Sequence, residues 1–332
     1  MNSINLSHGS GGRLMHELIK RLFVKNFNNA FLNKLGDSAI INFRADRLAY
    51  TTDSFVVNPI FFPGGDIGKL SVCGTVNDLA VSGAMPRYIS CAMVIEDGFS
   101  YGDLERITLS IKSMCKSARI DIVTGDFKVV EKGAIDRIFI NTSGIGEMMK
   151  NAELSILRIK PGDKIIMSGT MGDHTAAILL AREGLRFKTR ILSDCNPLGG
   201  LISSIICKDI KFMRDPTRGG VATTLNEIGL SSGYNIAIRE SAIPIKKSVR
   251  VLCEILGLDP LYMANEGKVI AIVSSRAADR VLSRMQRHPL GRDAAIIGEV
   301  QRQKDKRVYL KTLIGGTRIL DMLTGEQLPR IC

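Results

Sequence analysis

The sequence predicts a two-domain protein of the α/β plus α+β class. Apolar runs typical of buried strands alternate with segments of helical periodicity in both halves of the chain. The 332 residues are enough for two domains, each with its own core. A polar stretch ends in Lys160-Pro161-Gly162-Asp163, a strong turn signal that predicts a linker. We therefore expect an N-terminal domain over residues 1–150, a C-terminal domain over 160–322 and a mobile tail over 323–332.

The elements of the N-terminal half follow from the spacing of its apolar residues. An amphipathic helix is expected after the glycine-rich stretch that ends at Arg13, and two longer segments have helical spacing. Two short strands are expected on either side of the polar turn Arg44-Ala45-Asp46. In chain order, the predicted strands cover 39–43 and 48–52, a helix covers 67–83, a strand 88–95, a helix 101–118, and strands 121–124 and 136–146.

The second half restarts with a strand, a glycine turn and a helix. Apolar runs and helical periods then alternate without a short repeat or a low-complexity segment. The predicted helices cover 173–183, 198–207, 220–231, 246–256 and 276–288, and the predicted strands cover 164–168, 236–239, 269–273, 295–300 and 307–310.

Composition and charge exclude several classes of protein. The chain is 45% hydrophobic and 23% charged, with no apolar run of membrane-spanning length. Its seven cysteines form no CxxC pair or Cys/His cluster, which argues against a disulfide framework or a zinc site and favours a reducing cytoplasm. The net charge is +12, but no nucleic-acid motif accompanies it. A basic surface that meets solvent, an acidic partner or a phosphate substrate is the preferred interpretation, with no membrane and no nucleic acid.

The chain ends in Pro329-Arg330-Ile331-Cys332, so a free thiol occupies the terminal position. A terminal residue is usually mobile and exposed, whereas a cysteine usually packs as a small hydrophobe. Pro329 also argues against a helix that continues to the end. Cys332 is therefore either an accident of sequence or the reactive end of a mobile arm.

Five aspartates share one setting, a small or polar neighbour at the end of a predicted strand or turn. A single such aspartate is usually a turn former or a helix cap, and this explanation still holds for one or two of them. Five together favour a metal site, because Mg²⁺ prefers oxygen ligands and bridges carboxylates to nucleotide phosphates. They are Asp37, Asp53, Asp78, Asp126 and Asp215.

Three glycine-rich loops beside these aspartates are candidates for phosphate binding. Each precedes a predicted helix, whose first backbone N–H groups can face an anion. None is a Walker A motif or a dinucleotide fingerprint, so a tight turn is the commoner explanation for any one of them. The loops are Ser7-His8-Gly9-Ser10-Gly11-Gly12-Arg13, Gly169-Thr170-Met171-Gly172-Asp173-His174 and Asp215-Pro216-Thr217-Arg218-Gly219-Gly220.

Two more charged residues have both an ordinary and a catalytic interpretation. Lys128 is either an exposed strand-edge lysine or a group that stabilises phosphate charge. Glu266, in the turn Asn265-Glu266-Gly267-Lys268, is either a solvated turn residue or a general base. Composition and spacing leave both alternatives open.

Taken together, these motifs resemble the HypE family of hydrogenase maturation factors, the carbamoyl dehydratases. The glycine and aspartate motifs are typical of a wider group of ATP-dependent enzymes that includes aminoimidazole ribonucleotide synthetase, selenophosphate synthetase and thiamine-monophosphate kinase. The terminal Pro-Arg-Ile-Cys is what singles out the HypE family. The resemblance spans nearly the whole chain, and it also rests on Val76-Asn77-Asp78-Leu79-Ala80 and Thr124-Gly125-Asp126-Phe127-Lys128-Val129-Val130.

This resemblance implies a fold and a reaction. The fold is PurM-like: an N-terminal α/β domain that pairs with a second copy into a dimeric β-barrel, and a C-terminal α+β domain. In the reaction, the partner HypF places a carbamoyl group on the terminal sulfur, here Cys332. ATP, with Mg²⁺, is then used to dehydrate the thiocarboxamide to a thiocyanate. The cyano group passes to iron on the HypC–HypD complex, on the way to the nickel–iron hydrogenase centre.

The resemblance also implies a role for each candidate residue. Phosphorylation turns the poor carboxamide leaving group into phosphate, and a base removes protons from the amide nitrogen. The implied catalytic residues are Cys332, Glu266, Lys128 and His8, the nucleotide-binding residues are Gly9, Gly11, Gly12, Asn77, Asp126, Arg218 and Gly219, and the metal ligands are Asp37, Asp53, Asp78 and Asp215.

Two points qualify these roles. The terminal carboxylate disfavours a thiolate at Cys332 while Arg330 favours it, so we expect no strongly activated thiol. Phe127 occupies a position where the family usually has threonine, which makes the roles of Asp126 and Lys128 less secure than those of Asp78 and Asp215.

Two other functions compete with the dehydratase. The first is an ATP-dependent small-molecule kinase or synthetase of the same superfamily, in which Cys332 is incidental and its deletion preserves turnover. The second is a non-catalytic metal-delivery scaffold with Cys332 as a ligand, which predicts no ATP hydrolysis and leaves the aspartates unexplained.

Overall fold

A computed structural model of the chain describes residues 3–10, 12–36, 38–43, 45–182, 191–323, 325, 328 and 330–332. Two of the predicted site residues, Gly11 and Asp37, lie outside the described residues. So do Arg44 of the predicted turn, Pro329 of the tail motif and the last residue of the helix predicted over 173–183.

A four-stranded sheet forms the centre of the N-terminal half, with the strand order β1-β6-β4-β5. The central strands β4 and β6 pair antiparallel, β5 pairs parallel with β4, and β1 pairs antiparallel with β6. β1 and β5 are therefore the two edges of this sheet. The strands are β1 (Leu48–Phe55), β4 (Ala84–Glu96), β5 (Asp121–Val130) and β6 (Ile138–Met148), and a short hairpin joins β2 (Phe61–Phe62) to β3 (Gly65–Asp66).

Helices cover one face of this sheet and leave the other open to solvent. α3 is apolar on almost all sides and is buried along nearly its whole length, as expected for a helix packed between other elements. The open face includes Tyr50, which is 69% exposed. The helices of this half are α1 (Arg13–Leu18), which continues through a π-helical segment (Ile19–Val24) into α2 (Lys25–Phe27), then α3 (Ile67–Val81) and α4 (Tyr101–Ala118), and 3₁₀ turns lie at Leu6–Gly9 and Leu32–Lys34.

The C-terminal half is built on a seven-stranded sheet with the order β13-β12-β9-β11-β7-β10-β8. Its neighbours pair antiparallel except β12 and β9, which are parallel. The strands are β7 (Lys164–Met167), β8 (Ile210–Arg214), β9 (Ile236–Arg239), β10 (Ile270–Val273), β11 (Ala295–Val300), β12 (Val308–Lys311) and β13 (Thr317–Leu320). The helices are α5 (Asp173–Arg182), α6 (Gly199–Ile205), α7 (Gly220–Ser232), α8 (Lys247–Leu256) and α9 (Ala278–Arg287), with 3₁₀ turns at Ile156–Arg158, Glu240–Ala242, Pro260–Tyr262, Ser275–Ala277 and Pro289–Gly291.

Most predicted elements are confirmed with changes at their ends, of which the largest is at β5, six residues longer than predicted. One predicted strand is wrong, and the short strands β2, β3, β8 and β13 were not predicted. The segment 39–43 forms no strand: Ile40 is 84% exposed, and the segment pairs with no strand within the described residues. β8 and β13 were not predicted, because both are short strands at the edges of the sheet and contain charged residues. In the part of the chain that the structure describes, no helix has both the length and the apolar character needed to span a membrane.

The two sheets agree with the predicted two-domain class, and the domain limits at 150 and 160 remain a prediction. The end of the chain, however, is part of the N-terminal core. Ile331 is 6% exposed and packs in the same apolar cluster as Phe55, Cys73 and Cys195. Residues 330–332 are therefore docked against the body of the protein.

Candidate functional site

Three of the predicted aspartates come together from separate elements of the fold. Thr51 and Asp53 are two positions apart on β1, so both side chains point to the same face of the sheet, toward α3, where Asp78 lies. The Thr51 hydroxyl donates to Asp78 Oδ2 at 2.9 Å, and the Asp53 and Asp78 carboxyl groups share a hydrogen bond. Asp215, in the loop that follows β8, lies within electrostatic reach of both. This aspartate cluster, defined as Asp53, Asp78 and Asp215, lies where the two sheets meet.

The aspartate cluster carries more negative charge than its surroundings neutralise. Burial, followed by the charge of Asp78, raises the pKa of Asp215 to about 7. Burial and the same neighbour raise the pKa of Asp53 to about 6, although Arg218 acts in the opposite direction. Two half-buried acids with pKa values close to neutrality form a site that favours a proton or a cation.

The cluster fits Mg²⁺ that arrives with a nucleotide better than a protein-only metal centre. Among the described residues, no three side chains of the usual ligand types converge closely enough to form a complete ligand set. Mg²⁺ usually keeps several waters and takes one or two carboxylates together with substrate phosphates. Asp78, Asp215 and Thr217 line one cleft of about 490 Å³, which leaves room for those additional ligands.

The terminal residues of the chain are held in a seat between the two halves. The Arg330 carbonyl accepts hydrogen bonds from the Asn58 backbone N–H and from Arg182 Nη2, both at 3.1 Å. The Arg330 guanidinium donates to the Val56 carbonyl at 2.8 Å and forms an ion pair with Asp136. Three consecutive tail residues, 330–332, are thereby fixed against the body of the protein.

The seat brings the terminal thiol to Arg218. Arg218 Nε donates to Cys332 Sγ at 3.5 Å, and Cys332 is half-buried. Burial and then the charge of Glu266 raise the pKa of the Cys332 thiol to about 11, while Arg218 acts to lower it. The expectation of a thiol that is not strongly activated agrees with this raised pKa, although burial rather than the terminal carboxylate is its main cause.

Glu266 is a buried acid rather than a solvated turn residue. It is 3% exposed, and burial followed by the charges of Asp215 and Asp194 raises its pKa well above the usual value for a glutamate. Its backbone N–H donates to Asp194 Oδ1 at 3.2 Å, which fixes the turn. Glu266 and the Cys332 thiol influence each other's electrostatics, so the two predicted catalytic groups lie in one site.

The remaining predicted residues form a second group along the opposite edge of the N-terminal sheet. Register places Asp126 level with Ala92, Asn141 and Ser54, on the open face, whereas Asp53 points toward α3. Asp126 lies three strands from β1, about 14 Å at the usual strand spacing. Lys128 shares the face of Asp126 and forms an ion pair with it at 4.0 Å, with both side chains 59% exposed.

The N-terminal loop belongs to this second group. The 3₁₀ turn of Leu6–Gly9 packs against β5, and Gly12 is the N-cap residue of α1. His8 is buried; its Nδ1 accepts from the Asn5 backbone N–H, and its Nε2 has no hydrogen-bond partner among the described residues. We call His8, Gly9, Gly12, Asp126 and Lys128 the β5 group. Within one chain, it does not meet the aspartate cluster.

Two predicted nucleotide-binding residues, Asn77 and Gly219, also hold the backbone around the site, and their nucleotide-binding roles remain predictions. The Asn77 amide donates to the carbonyls of Asn196 and Glu266 at 3.1 Å and accepts from the Leu198 N–H at 2.7 Å, so its polar atoms are already occupied. Gly219 is the N-cap residue of α7 with φ near +70°, a conformation that favours glycine. That turn presents Arg218 to Cys332.

Sequence reasoning missed His174 as a site residue. It is fully buried, and its Nε2 lies 2.9 Å from the carbonyl oxygen of Ile331. The motif Gly172-Asp173-His174 had been noted as a loop, but the partner of His174 is 157 positions away. The local sequence motif therefore indicated the loop but not the distant partner of His174.

Comparison with family models identifies both halves of the chain. Residues 35–148 match the N-terminal domain, and residues 160–311 the C-terminal domain, of the AIR synthase related proteins. The predicted two-domain PurM-like class is therefore confirmed at the level of these two domains.

Relatives and solved structures extend this match to the full chain. The carbamoyl dehydratase HypE of Bradyrhizobium diazoefficiens is 48% identical over 332 residues, which cover 99% of this chain and 96% of that protein. A crystal structure of the hydrogenase maturation protein HypE in complex with ATP is 46% identical, covers 99% of this chain and all of its own, and superposes with a TM-score of 0.96. A structure of a HypE–HypF complex matches at 47% identity and a TM-score of 0.81, over 94% of this chain and all of that one. The chain belongs to the HypE family of carbamoyl dehydratases.

Proposed function

We propose that this protein uses ATP to dehydrate a carbamoyl group bound to its own C-terminal cysteine, converting an S-carboxamide into an S-cyanate that supplies cyanide ligands for the nickel–iron hydrogenase centre. The observation that supports this most directly is the docked tail. The Cys332 sulfur lies against Arg218, and Glu266 and Asp53 are in its electrostatic surroundings. A substrate attached to that sulfur would lie among an acid, a guanidinium and a carboxylate cluster.

The reaction balances with the groups present. The carboxamide oxygen takes the γ-phosphoryl group of ATP, ADP leaves, and the carbon–oxygen bond then breaks with phosphate as the leaving group. The nitrogen loses one proton as the oxygen is phosphorylated and the second as phosphate leaves, so the carboxamide oxygen ends in phosphate and the two protons pass to the base and to solvent. Arg218 provides a fixed positive charge beside the sulfur for the phosphorylated intermediate.

Glu266 is suited to accept a proton from the nitrogen. Burial raises its pKa well above the usual value, so an ionised Glu266 binds a proton more strongly than a solvated glutamate does. The Asn77 amide and Asp194 hold the Glu266 backbone by hydrogen bonds on both sides. The base therefore needs little reorganisation when the tail docks.

The aspartate cluster is the proposed site for Mg²⁺ and the nucleotide phosphates. Bound Mg²⁺ would neutralise phosphate charge during phosphoryl transfer. Asp53, Asp78 and Asp215 would hold it, because the three carboxyl groups lie within electrostatic reach of one another and the pKa values of Asp53 and Asp215 are raised. Asp37 remains a proposed further ligand. ATP is the proposed nucleotide because the related HypE structure is a complex with ATP.

We propose a homodimer in which the β5 group of one subunit completes the site of the other. β1 and β5 are the two free edges of the four-stranded sheet, and its open face is partly apolar. If two sheets close into a barrel, β1 of one subunit can pair with β5 of the next. Lys128 and Asp126 would then lie beside the partner's β1. The unpartnered His8 Nε2 would be a donor for nucleotide phosphate.

The proposed cycle needs partners outside the chain. HypF is the proposed carbamoyl donor, since a related protein forms a HypE–HypF complex. The HypC–HypD complex is the proposed acceptor of the cyano group, and the cytoplasm is the proposed compartment. The tail must leave its seat to reach either partner, so we propose that 323–332 exchanges between docked and free states.

Intact-mass analysis tests this function. The protein is loaded by HypF and carbamoyl phosphate and is then given Mg-ATP, with a variant lacking Cys332 as control. We expect the mass of one carbamoyl group on Cys332, followed by ATP-dependent loss of one water. Loading without loss of water would refute the dehydratase, and turnover of ATP that survives deletion of Cys332 would favour a small-molecule kinase or synthetase.

A further inference from the structure

We infer that His174 is a positioning residue that recognises the peptide group between Ile331 and Cys332 and couples docking of the tail to the placement of Glu266. This inference rests on the proposed function only in taking Glu266 as the base. The geometry of tail recognition is independent of the reaction. His174 lies at the second position of α5, fully buried beside the ring of Phe62, with the ring centroids 5.5 Å apart.

The hydrogen bonds of His174 fix its tautomer. The Ile331 carbonyl can only accept, so His174 Nε2, 2.9 Å away, must hold the proton. Nδ1 is then an acceptor, and the Ser193 hydroxyl donates to it at 2.8 Å. Burial lowers the pKa of the imidazole, which keeps this neutral form. His174 thus binds the Ile331 carbonyl of the tail through one donor, the Nε2–H group.

The chain of hydrogen bonds continues into the loop of residues 193–196. The Ser193 oxygen accepts from the Cys195 backbone N–H at 3.1 Å. The Cys195 N–H, the Ser193 hydroxyl and His174 Nε2 each donate in one direction, toward the tail, and the Ile331 carbonyl is the final acceptor. When the tail leaves its docked position, the Ile331 carbonyl no longer accepts the last hydrogen bond of that series. His174 Nε2–H is then a buried donor without a partner.

The same loop holds the turn that bears Glu266. Asp194 Oδ1 accepts from the Glu266 N–H, and Asn77 joins the Asn196 carbonyl to the Glu266 carbonyl. Gly267 packs so closely on the Asp194 carbonyl that a Cβ there would overlap it. Movement of the 193–196 loop therefore moves the Glu266 turn, and His174 connects that loop to the tail.

Other contacts also hold the tail, without a chain of hydrogen bonds to the Glu266 turn among the described residues. Arg330 is anchored to Val56, Asn58 and Asp136 of the N-terminal half, and Arg182 adds a further donor to its carbonyl. The Ile331 side chain fills an apolar position in the N-terminal core. His174 binds the peptide group next to Cys332, and its hydrogen bonds continue through Ser193 into the 193–196 loop.

A matched pair of substitutions separates the two sides of the His174 ring. In H174Q, the side-chain amide can donate from near the position of Nε2, whereas in H174N the amide lies nearer Nδ1 and does not reach the tail. The first readout is the rate of alkylation of Cys332 without nucleotide, with half-buried Cys207 as an internal reference. We expect H174N to alkylate about fivefold to tenfold faster than the wild type, and H174Q to remain within about twofold of it.

The second readout is the single-turnover rate of water loss from carbamoyl-loaded protein at saturating Mg-ATP. We expect H174N to lose about tenfold and H174Q to retain most of the rate. Equal alkylation of Cys332 in H174N and the wild type would overturn tail recognition. Faster alkylation with an unchanged rate of water loss would overturn the coupling to Glu266.

A milder variant keeps the test decisive if H174N does not fold. S193A removes one oxygen and leaves His174 in place, and we expect alkylation of Cys332 to rise about threefold. No rise in a folded S193A would contradict the series of hydrogen bonds. If the wild type fails to lose water with Mg-ATP, the proposed function fails, while the alkylation contrast still decides whether His174 reads the tail.

Discussion

The two edges of the N-terminal sheet present two different chemical settings. At the β1 edge, Asp53 lies with Asp78 and Asp215 in a half-buried cluster, where partial burial and then the charge of Asp78 raise the pKa values of Asp53 and Asp215 toward neutrality. At the β5 edge, Asp126 and Lys128 form an exposed ion pair on the open face. The family motifs include both edges, but one chain brings only the first to the Cys332 thiol.

This difference indicates that the side chains at the β1 edge are already positioned for a ligand, whereas those at the β5 edge are not. Buried charges of one sign are costly, and they persist where a ligand later compensates for them. An exposed ion pair contributes little to stability and is free to be redirected. This contrast supports the proposal that the aspartate cluster with Glu266 and Cys332 is the catalytic centre and that the β5 group completes it from a second subunit.

The largest effect is expected at the base. E266Q should reduce the rate of water loss from the carbamoylated tail by about 100-fold to 10,000-fold, because an amide cannot accept the proton. ATP binding and carbamoyl loading should persist. The matched control is E254Q, an exposed glutamate of α8, which should behave as the wild type. Rapid nitrile formation by E266Q would remove Glu266 from the mechanism.

Mixing two inactive variants tests whether the edges meet across a dimer. D53N lacks a cluster carboxylate, and K128M lacks the lysine of the β5 group. If each site uses Asp53 of one subunit and Lys128 of the other, a re-equilibrated equal mixture should recover about one quarter of wild-type activity. The measurement is the rate of water loss from the carbamoylated tail in the D53N and K128M mixture, after the subunits have dissociated and reassociated.

The control for that mixture is D53N combined with D215N, whose two substitutions affect the same site, so little recovery is expected. No recovery in the D53N and K128M mixture would show that both residues act within one chain, which would contradict the proposed arrangement of the dimer.

A third effect concerns stability and pH at the aspartate cluster. The pKa of Asp215 in the folded state is about 7, above its value in the unfolded state, so the folded state retains the proton to a higher pH. Stability is therefore lost as pH rises from about 4 to about 7. Without nucleotide, D215N should be about 2–4 kcal/mol more stable than the wild type at pH 8 and nearly equal at pH 4. Thermal unfolding at both pH values measures this, and a difference independent of pH would contradict it.

The smallest effect is expected at the thiol itself. Burial raises the pKa of Cys332 to about 11, and Arg218 acts against that increase. R218Q should therefore raise the thiol pKa further, by about one unit. The pH dependence of Cys332 alkylation measures it, with R276Q on the protein surface as the control. A lower pKa in R218Q would show that Arg218 does not stabilise the thiolate.

The sequence predicted much of the fold because local signals were strong there. α4 begins and ends as predicted, with the Ser100 side chain accepting from the Asp103 N–H at its start and Arg119 in a left-handed conformation at its end. The segment 39–43 was apolar enough for a strand but has no strand to pair with in the described residues. β-structure depends on partners that local patterns do not contain.

The site was predictable in its residue types but not in its arrangement. Motifs identified Asp53 and Asp126 together, yet strand register places them on opposite faces of one sheet. His174 was missed because its partner, the Ile331 carbonyl, lies at the far end of the chain. Faces and long-range contacts depend on tertiary structure, so sequence patterns identified the chemistry and the structure assigned its positions.

The most direct test of the central claim is infrared detection of a nitrile on the docked tail. Protein loaded with ¹³C-labelled carbamoyl on Cys332 is given Mg-ATP, and the C≡N stretch is followed in the wild type and in E266Q. We predict a nitrile band that appears with ATP in the wild type, shifts with the isotope and is absent in E266Q. A wild-type protein that hydrolyses ATP while its carbamoyl group stays intact would contradict the account.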